Sequence, residues 1–146
     1  MNNIINHLRK FEINRYNKLF KYQYLLRNYN GEEWKDYINF ENNNYGKKLV
    51  HRDDNFEIKV LSWKPGDKSG IHNHSEFGCL MKVLQGNLQE NIYSDNLNLL
   101  DIKHLSTNEV SYIDNTIGYH SINNNYNKDC ISLHIYSPCL HNSEFY

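Results

Sequence analysis

Two imidazoles stand two residues apart in Gly70-Ile71-His72-Asn73-His74. In a strand, residues i and i+2 point to the same face, so His72 and His74 would present their rings side by side. Neutral imidazole is the commonest metal-ligating side chain and suits Zn, Cu, Fe and Ni. A third candidate, His120, stands near a turn in Ile117-Gly118-Tyr119-His120, on what reads as a separate strand that a barrel could bring against the first pair. A second series, Ser132, His134 and Tyr136, alternates along one strand and shares one face. The competing readings are bland ones. His-x-His arises by chance, a strand histidine is commonly a satisfied core or surface residue, and a polar strand face is commonly an outer one. His7, His51, His104 and His141 lack such context and read as ordinary.

The elements that must position these residues change character near Gly46. Before it, Ile4, Ile5, Leu8 and Phe11 recur at helical spacing, and Leu19, Tyr22, Leu25 and Leu26 continue the period. Asn30-Gly31 is a helix stop, because Gly accepts the left-handed cap conformation. A short helix over 32–39 would bury Trp34, Tyr37 and Ile38. After Gly46, Phe56, Ile58 and Val60 alternate with Glu57 and Lys59, the period of a strand. Further strands are expected at 80–85, at 88–93 after the Gly86-Asn87 turn, and at 99–105, 110–113, 119–122 and 130–136. Short strands punctuated by Gly and Asn predict an all-β sandwich or barrel. The expected organisation is one domain over 1–146, with a helical N-terminal cap over about 1–45, a β-barrel over about 46–138 and a short tail over 139–146.

Bulk properties exclude several classes. The chain has 146 residues, enough to bury a core without disulfides. Its formal net charge is −1, so no nucleic acid or anionic membrane surface is expected as partner. The mean hydropathy of −0.80 reflects abundant Asn, while 12 Tyr and 6 Phe supply core-forming surface. Three cysteines, Cys79, Cys130 and Cys139, make an odd set without paired spacing, which points to a reducing, cytoplasmic setting. The first ten residues lack the apolar stretch of a signal peptide, and no run is apolar enough to cross a bilayer. A monomer is expected.

The spacing Gly66, His72-x-His74, Cys79, Gly86 resembles the first cupin motif, with Cys79 where most cupins place a metal-binding Glu. His120 with Asn124 represents the second motif, and Gly118 lies one residue closer to the His than the general pattern has it. The segments SGIHNHSEFGCLMKVLQGNLQENIY, YIDNTIGYHSIN and SLHIYSP closely resemble cysteine dioxygenases of the animal type. With the weaker stretch from Glu33-Trp34 to Leu49-Val50, the likeness runs from about Glu33 to Pro138.

The resemblance implies a mainly β fold, a jelly-roll-like cupin barrel with a helical N-terminal segment. It implies one Fe(II) held by His72, His74 and His120, and a thioether between Cys79 and Tyr136. It also implies a hydrogen-bond chain Ser132-His134-Tyr136 that positions the phenol. Family members that act on cysteine hold its carboxylate with an Arg preceded two residues earlier by a Tyr. Here Tyr45 matches and Lys47 stands at the Arg position, with Lys48 as the alternative if the alignment shifts by one. Lys keeps the charge but loses the planar fork. Cys130 and Cys139 are assigned no role. The expected reaction adds both atoms of O2 to the sulfur of cysteine, giving the sulfinic acid. The alternatives are another small thiol such as 3-mercaptopropionate or cysteamine, a non-catalytic metal- or thiol-binding cupin, and a Zn or Ni cupin of the isomerase type. The family usually continues past the position of Tyr146.

Overall fold

The computed structural model describes all of residues 1–146. Its strands are β1 (Gly46–Arg52), β2 (Glu57–Trp63), β3 (Cys79–Gln85), β4 (Asn87–Tyr93), β5 (Leu99–Ser106), β6 (Val110–Ile113), β7 (Tyr119–Asn123) and β8 (Cys130–Tyr136). They form a five-stranded sheet in the order β1-β2-β8-β3-β6 and a three-stranded sheet in the order β5-β4-β7, with every pairing antiparallel. All six strands expected after residue 60 are present to within one residue at each end. Strand β1 carried no readable pattern. It lies at a sheet edge, where lysines discourage pairing with a further strand, and so it lacks an alternating apolar face.

The N-terminal segment is helical only in pieces. Helix α1 spans Asn2–Leu8 and α2 spans Gln23–Arg27, with 3-10 turns at Leu19–Tyr22 and Glu33–Tyr37. The helical period read through Phe11 fails there, and Phe11 is exposed. Between the helices, Asn side chains compete for the backbone. Asn14 Oδ1 accepts from the Tyr16 N–H, and Asn17 donates to the Glu12 carbonyl. Helix α2 ends at Arg27, before the Asn30-Gly31 stop, and buried Lys82 reaches its open end. The Lys82 amine donates to the Leu26 carbonyl at 2.8 Å and to the Tyr29 carbonyl. A cation is favoured at a helix C-terminus.

Burial explains why the apolar periodicity survives this interruption. Ile4, Leu8, Leu19, Leu26 and Trp34 pack against Ile58, Val60, Leu80, Leu133 and Ile135 on the outer face of the five-stranded sheet. Leu8, Leu19 and Leu26 are fully buried, each contributing roughly 1.5–3 kcal/mol. The inner face packs Leu61, Trp63, Met81 and Val83 against Leu88, Leu105 and Ile122 of the three-stranded sheet, with Cys130 among them. Strands β2, β3 and β8 are therefore covered on both sides. Two glycines close the turns that sequence reasoning marked. A β-carbon on Gly86 would lie 2.7 Å from the Asp129 carbonyl, and one on Gly118 would collide with the Tyr93 carbonyl. Both have positive φ.

Asp114 fastens the N-terminal segment to the loop after β6. Its carboxylate accepts from Tyr112 and Thr116 hydroxyls and from the Lys18 amine at 3.2 Å. Burial alone would raise its pKa. The bonds from Thr116, Tyr112 and Lys18 outweigh that and hold it at about 2, below the ordinary 3.8. A depressed folded-state pKa contributes stability that is complete above the unfolded value and is lost as pH falls through the folded one. Urea titrations should show about 2 kcal/mol of stability disappearing between roughly pH 4 and pH 2 through this group. Asp114→Asn should be less stable at pH 7 and should lose that share of acid sensitivity. An unchanged pH slope in the variant would refute the assignment.

Candidate metal centre and cavity

The two sheets enclose a cavity of about 400 Å³. Its walls include Tyr45 and Lys47 near and on β1, Glu57, Lys59, Leu61 and Trp63 from β2, Cys79 from β3, His120 from β7, and His134 and Tyr136 from β8. His72 and His74 also line it, but not from a regular strand as expected. Residue 72 is joined to β7 by an isolated bridge, its N–H donating to the His120 carbonyl at 3.0 Å and its carbonyl accepting from the His120 N–H at 3.2 Å. The backbone here is pinned to β7 by two bridges, at Lys68 and at His72.

The three imidazoles converge. One ring nitrogen of each of His72, His74 and His120 lies within 4.8 Å of the others. The partners of their second nitrogens decide which nitrogens face one another. His72 Nδ1–H donates to the Gly70 carbonyl at 3.0 Å, and His120 Nδ1–H donates to the Glu90 carboxylate at 2.6 Å. Each Nε2 is then left with a lone pair, and the two Nε2 atoms are 3.2 Å apart. Two lone pairs at that distance repel unless a cation lies between them. His74 is buried, and neither of its ring nitrogens has a hydrogen-bond partner. This donor set fits a metal ion, which would satisfy all three rings. Burial pushes the His72 pKa down to about 3 and lowers that of His74 further, each reinforced by neighbouring His120. Both rings therefore stay in the neutral, ligating form at physiological pH.

Glu90 was missed by sequence reasoning. It is buried, and besides His120 it accepts from the Ser111 hydroxyl at 2.5 Å. Burial would raise its pKa, but the bonds from His120 and Ser111 outweigh it and keep the carboxylate ionised. A signal was present, since Leu88, Glu90 and Ile92 share one strand face and place an acid in an apolar stripe.

His134 and Tyr136 line the cavity, and Ser132, on the same strand face, is fully buried beside them. The series starts one residue earlier than expected, at Trp63, whose indole N–H donates to Ser132 Oγ at 2.9 Å. The Ser132 hydroxyl then donates to His134 Nε2 at 2.7 Å, which puts the His134 proton on Nδ1. Burial holds the His134 pKa at about 3, so this ring too is neutral. The expected hydrogen-bond chain does not continue to the phenol. His134 meets Tyr136 as a stacked ring, with centroids 5.8 Å apart and planes inclined by 16°. Cys79 stands directly opposite Tyr136 across the β3–β8 ladder, a pairing that brings β-carbons within about 4.5–5.5 Å. Burial raises both the Cys79 thiol and the Tyr136 phenol, so both carry their protons.

Tyr45 stacks on Trp63 at 4.3 Å, and the Lys47 amine lies 5.1 Å from the Tyr45 ring centre. Lys47 lines the cavity, whereas its neighbour Lys48 falls on the other face of β1. His7, His51 and His104 bond Tyr24, Asp53 and Tyr126, away from the site. His141 departs from its ordinary reading. It bonds Asn73 Oδ1 at 3.0 Å and lines the cavity. The tail does not hang free. Glu144 accepts from the Asn73 N–H, Tyr146 donates to the Ile71 carbonyl, and Phe145 packs on His72 at 5.6 Å between ring centres. Cys139, also without an assigned role, donates to the Asp53 carbonyl at 3.2 Å. No helix is long and apolar enough to cross a membrane.

Comparison with known proteins follows this geometry. A structure from Klebsiella pneumoniae described as having a double-stranded beta-helix domain superposes with a TM-score of 0.66 at 14% identity, over 80% of this chain and 96% of that one. A cupin superfamily protein from Desulfitobacterium hafniense gives 0.57 at 16% identity, over 68% and 83%. These establish the mainly β cupin fold. In sequence, the chain is 33% identical over 117 residues to cysteine dioxygenase type 1 of Rattus norvegicus, covering 75% of this chain and 58% of that protein. The human protein of that name is 33% identical over 114 residues, covering 73% and 57%. The chain thus spans under three-fifths of the length of these curated relatives. The family model described as cysteine dioxygenase type I matches residues 4–146, well beyond the stretch in which the likeness was legible by eye. The chain belongs to the cysteine dioxygenase type I family.

Proposed function

We propose that residues 1–146 act as one cupin unit that adds both atoms of O2 to the sulfur of a small thiol, most simply cysteine, giving the sulfinic acid. The observation that carries this reading is the trio of converging imidazoles that line one cavity together with Tyr136 and Cys79. His72, His74 and His120 are assigned to hold Fe(II). Three uncharged ligands leave the full divalent charge available to attract a thiolate. When bound there, Fe(II) supplies the redox chemistry that joins O2 to sulfur.

The chain's own residues do the rest. Glu90 and the Gly70 carbonyl fix the orientation of two ligand rings. Lys47, with Tyr45 beneath it, holds the substrate carboxylate. The Tyr136 phenol keeps its proton and offers it as a hydrogen bond to the reacting groups. Trp63, Ser132 and His134 hold that phenol through a bonded pair and a ring stack. Leu61, Trp63 and Phe145 limit water at the cavity walls. Cys79 and Tyr136, which pair across the β3–β8 ladder, are assigned as thioether partners; O2 would take up the thiol hydrogen and one ring hydrogen and leave as hydrogen peroxide.

A second thiol substrate is favoured by one observation, the Lys at position 47 in place of the fork-shaped Arg. Oxygen-electrode assays of iron-loaded protein with cysteine, 3-mercaptopropionate and cysteamine test both readings. Uptake of O2 with one of them, with both product oxygens drawn from labelled O2, is the expected result. Intact mass should then fall by two hydrogens on the Cys79–Tyr136 peptides after turnover. No uptake with any thiol would overturn the proposal.

A further inference from the structure

Lys59 is unused by the roles above, yet it reaches into the same cavity. On antiparallel β1 and β2, Lys47 pairs with Leu61 and Leu49 with Lys59. Lys47 and Lys59 are therefore diagonal neighbours on one sheet face, a spacing that long side chains span. The Lys59 amine lies 5.5 Å from the Tyr136 ring centre, and its residue pairs with His134 across the β2–β8 ladder. The Lys47 amine has no carboxylate partner.

The wall holds one acid, Glu57, whose side chain is 4% exposed. Its charge is met from outside the cavity. Arg52 Nε donates to Glu57 Oε2 at 2.8 Å, while Lys59 makes only a longer contact to Oε1 at 3.3 Å. Burial would raise the Glu57 pKa, but Arg52 and Lys59 together keep it ionised. With Arg52 neutralising Glu57, two lysines face the cavity against no free anion. The wall carries surplus positive charge beside the metal-ligating cluster.

We propose that Lys59 and Lys47 form a two-point clamp for the carboxylate of a short acidic thiol, two amines doing jointly what one planar fork would do. This deepens the thiol dioxygenase reading and rests on it for the identity of the ligand, though not for its charge. What the clamp adds is Lys59 as a second determinant of the preference for a carboxylate-bearing thiol over a plain aminothiol.

Calorimetric titration of iron-loaded protein without oxygen tests this, using 3-mercaptopropionate and cysteamine as probes. The readout is the ratio of the two affinities. In the native protein the acidic thiol binds more tightly. Lys59→Gln should cut the ratio about tenfold, Lys47→Gln by a similar factor, and Lys59→Arg should keep most of it. If Lys59→Gln fails to fold, the double change Glu57→Gln with Lys59→Gln, which removes both ends of the longer Lys59–Glu57 contact, should show the same drop. A ratio in the Lys59 variants equal to the native one overturns the clamp. Native protein that binds both probes alike, or neither, also overturns it. A Lys59-dependent preference without O2 uptake would sink the dioxygenase reading and leave the clamp standing.

Discussion

Replacing His74 by alanine should leave a folded protein that no longer retains a metal ion or supports thiol-dependent O2 uptake. His74 is buried with both ring nitrogens unpartnered, which is a cost of roughly 1–3 kcal/mol in the metal-free fold. Removing the ring removes that cost, so the melting temperature of the metal-free variant should stay level or rise. Native protein should gain stability on adding Fe(II), because an ion that binds only the folded state shifts the equilibrium toward it. The variant should lose that gain. Losing a direct ligand should weaken metal binding beyond the ~10–100-fold typical of changes to groups behind the ligands. Thermal melts with and without metal, paired with metal analysis, check both halves. A variant with the native metal-induced shift would remove His74 from the ligand set.

The second large effect is expected at Glu90. Its carboxylate takes hydrogens from His120 and Ser111 in a site closed to solvent. Glu90→Ala leaves both donors unsatisfied and should cost about 2–4 kcal/mol of stability. It also frees the His120 ring to turn, so metal affinity should fall ~10–100-fold. Glu90→Gln separates the two consequences. Its single carbonyl can accept from His120 or from Ser111 but not from both with equal geometry, so stability should fall less while metal affinity still drops. Equal metal affinity in native and Glu90→Gln protein would show that the carboxylate supports the fold alone.

The histidine cluster was legible early because its signal is local. His72-x-His74 needs only an extended backbone to align its rings, whether or not the segment is a true strand, and here it is not. The Ser132, His134 and Tyr136 series was legible for the same reason. The strands were found because turn residues such as Gly86 and Gly118 mark their ends through backbone sterics. The helical cap was overread, since an apolar period survives a broken helix whenever the same residues still pack on one sheet.

Glu57, Lys59 and Glu90 were not legible as site residues. Alternation of Phe56, Ile58 and Val60 with Glu57 and Lys59 reveals a strand but not which face turns inward. Here the apolar face meets the helical cap and the charged face meets the cavity, the reverse of the usual assumption. Short apolar runs and turn residues after Phe56, with the His72-x-His74 pair, were enough by themselves to read an all-β sandwich or barrel carrying a candidate metal-binding pair. Only the tertiary structure decided that Glu90 backs His120, that the tail from His141 to Phe145 walls the cavity, and that two lysines rather than one face it. Those facts depend on contacts between residues far apart in the chain, which local periodicity cannot encode.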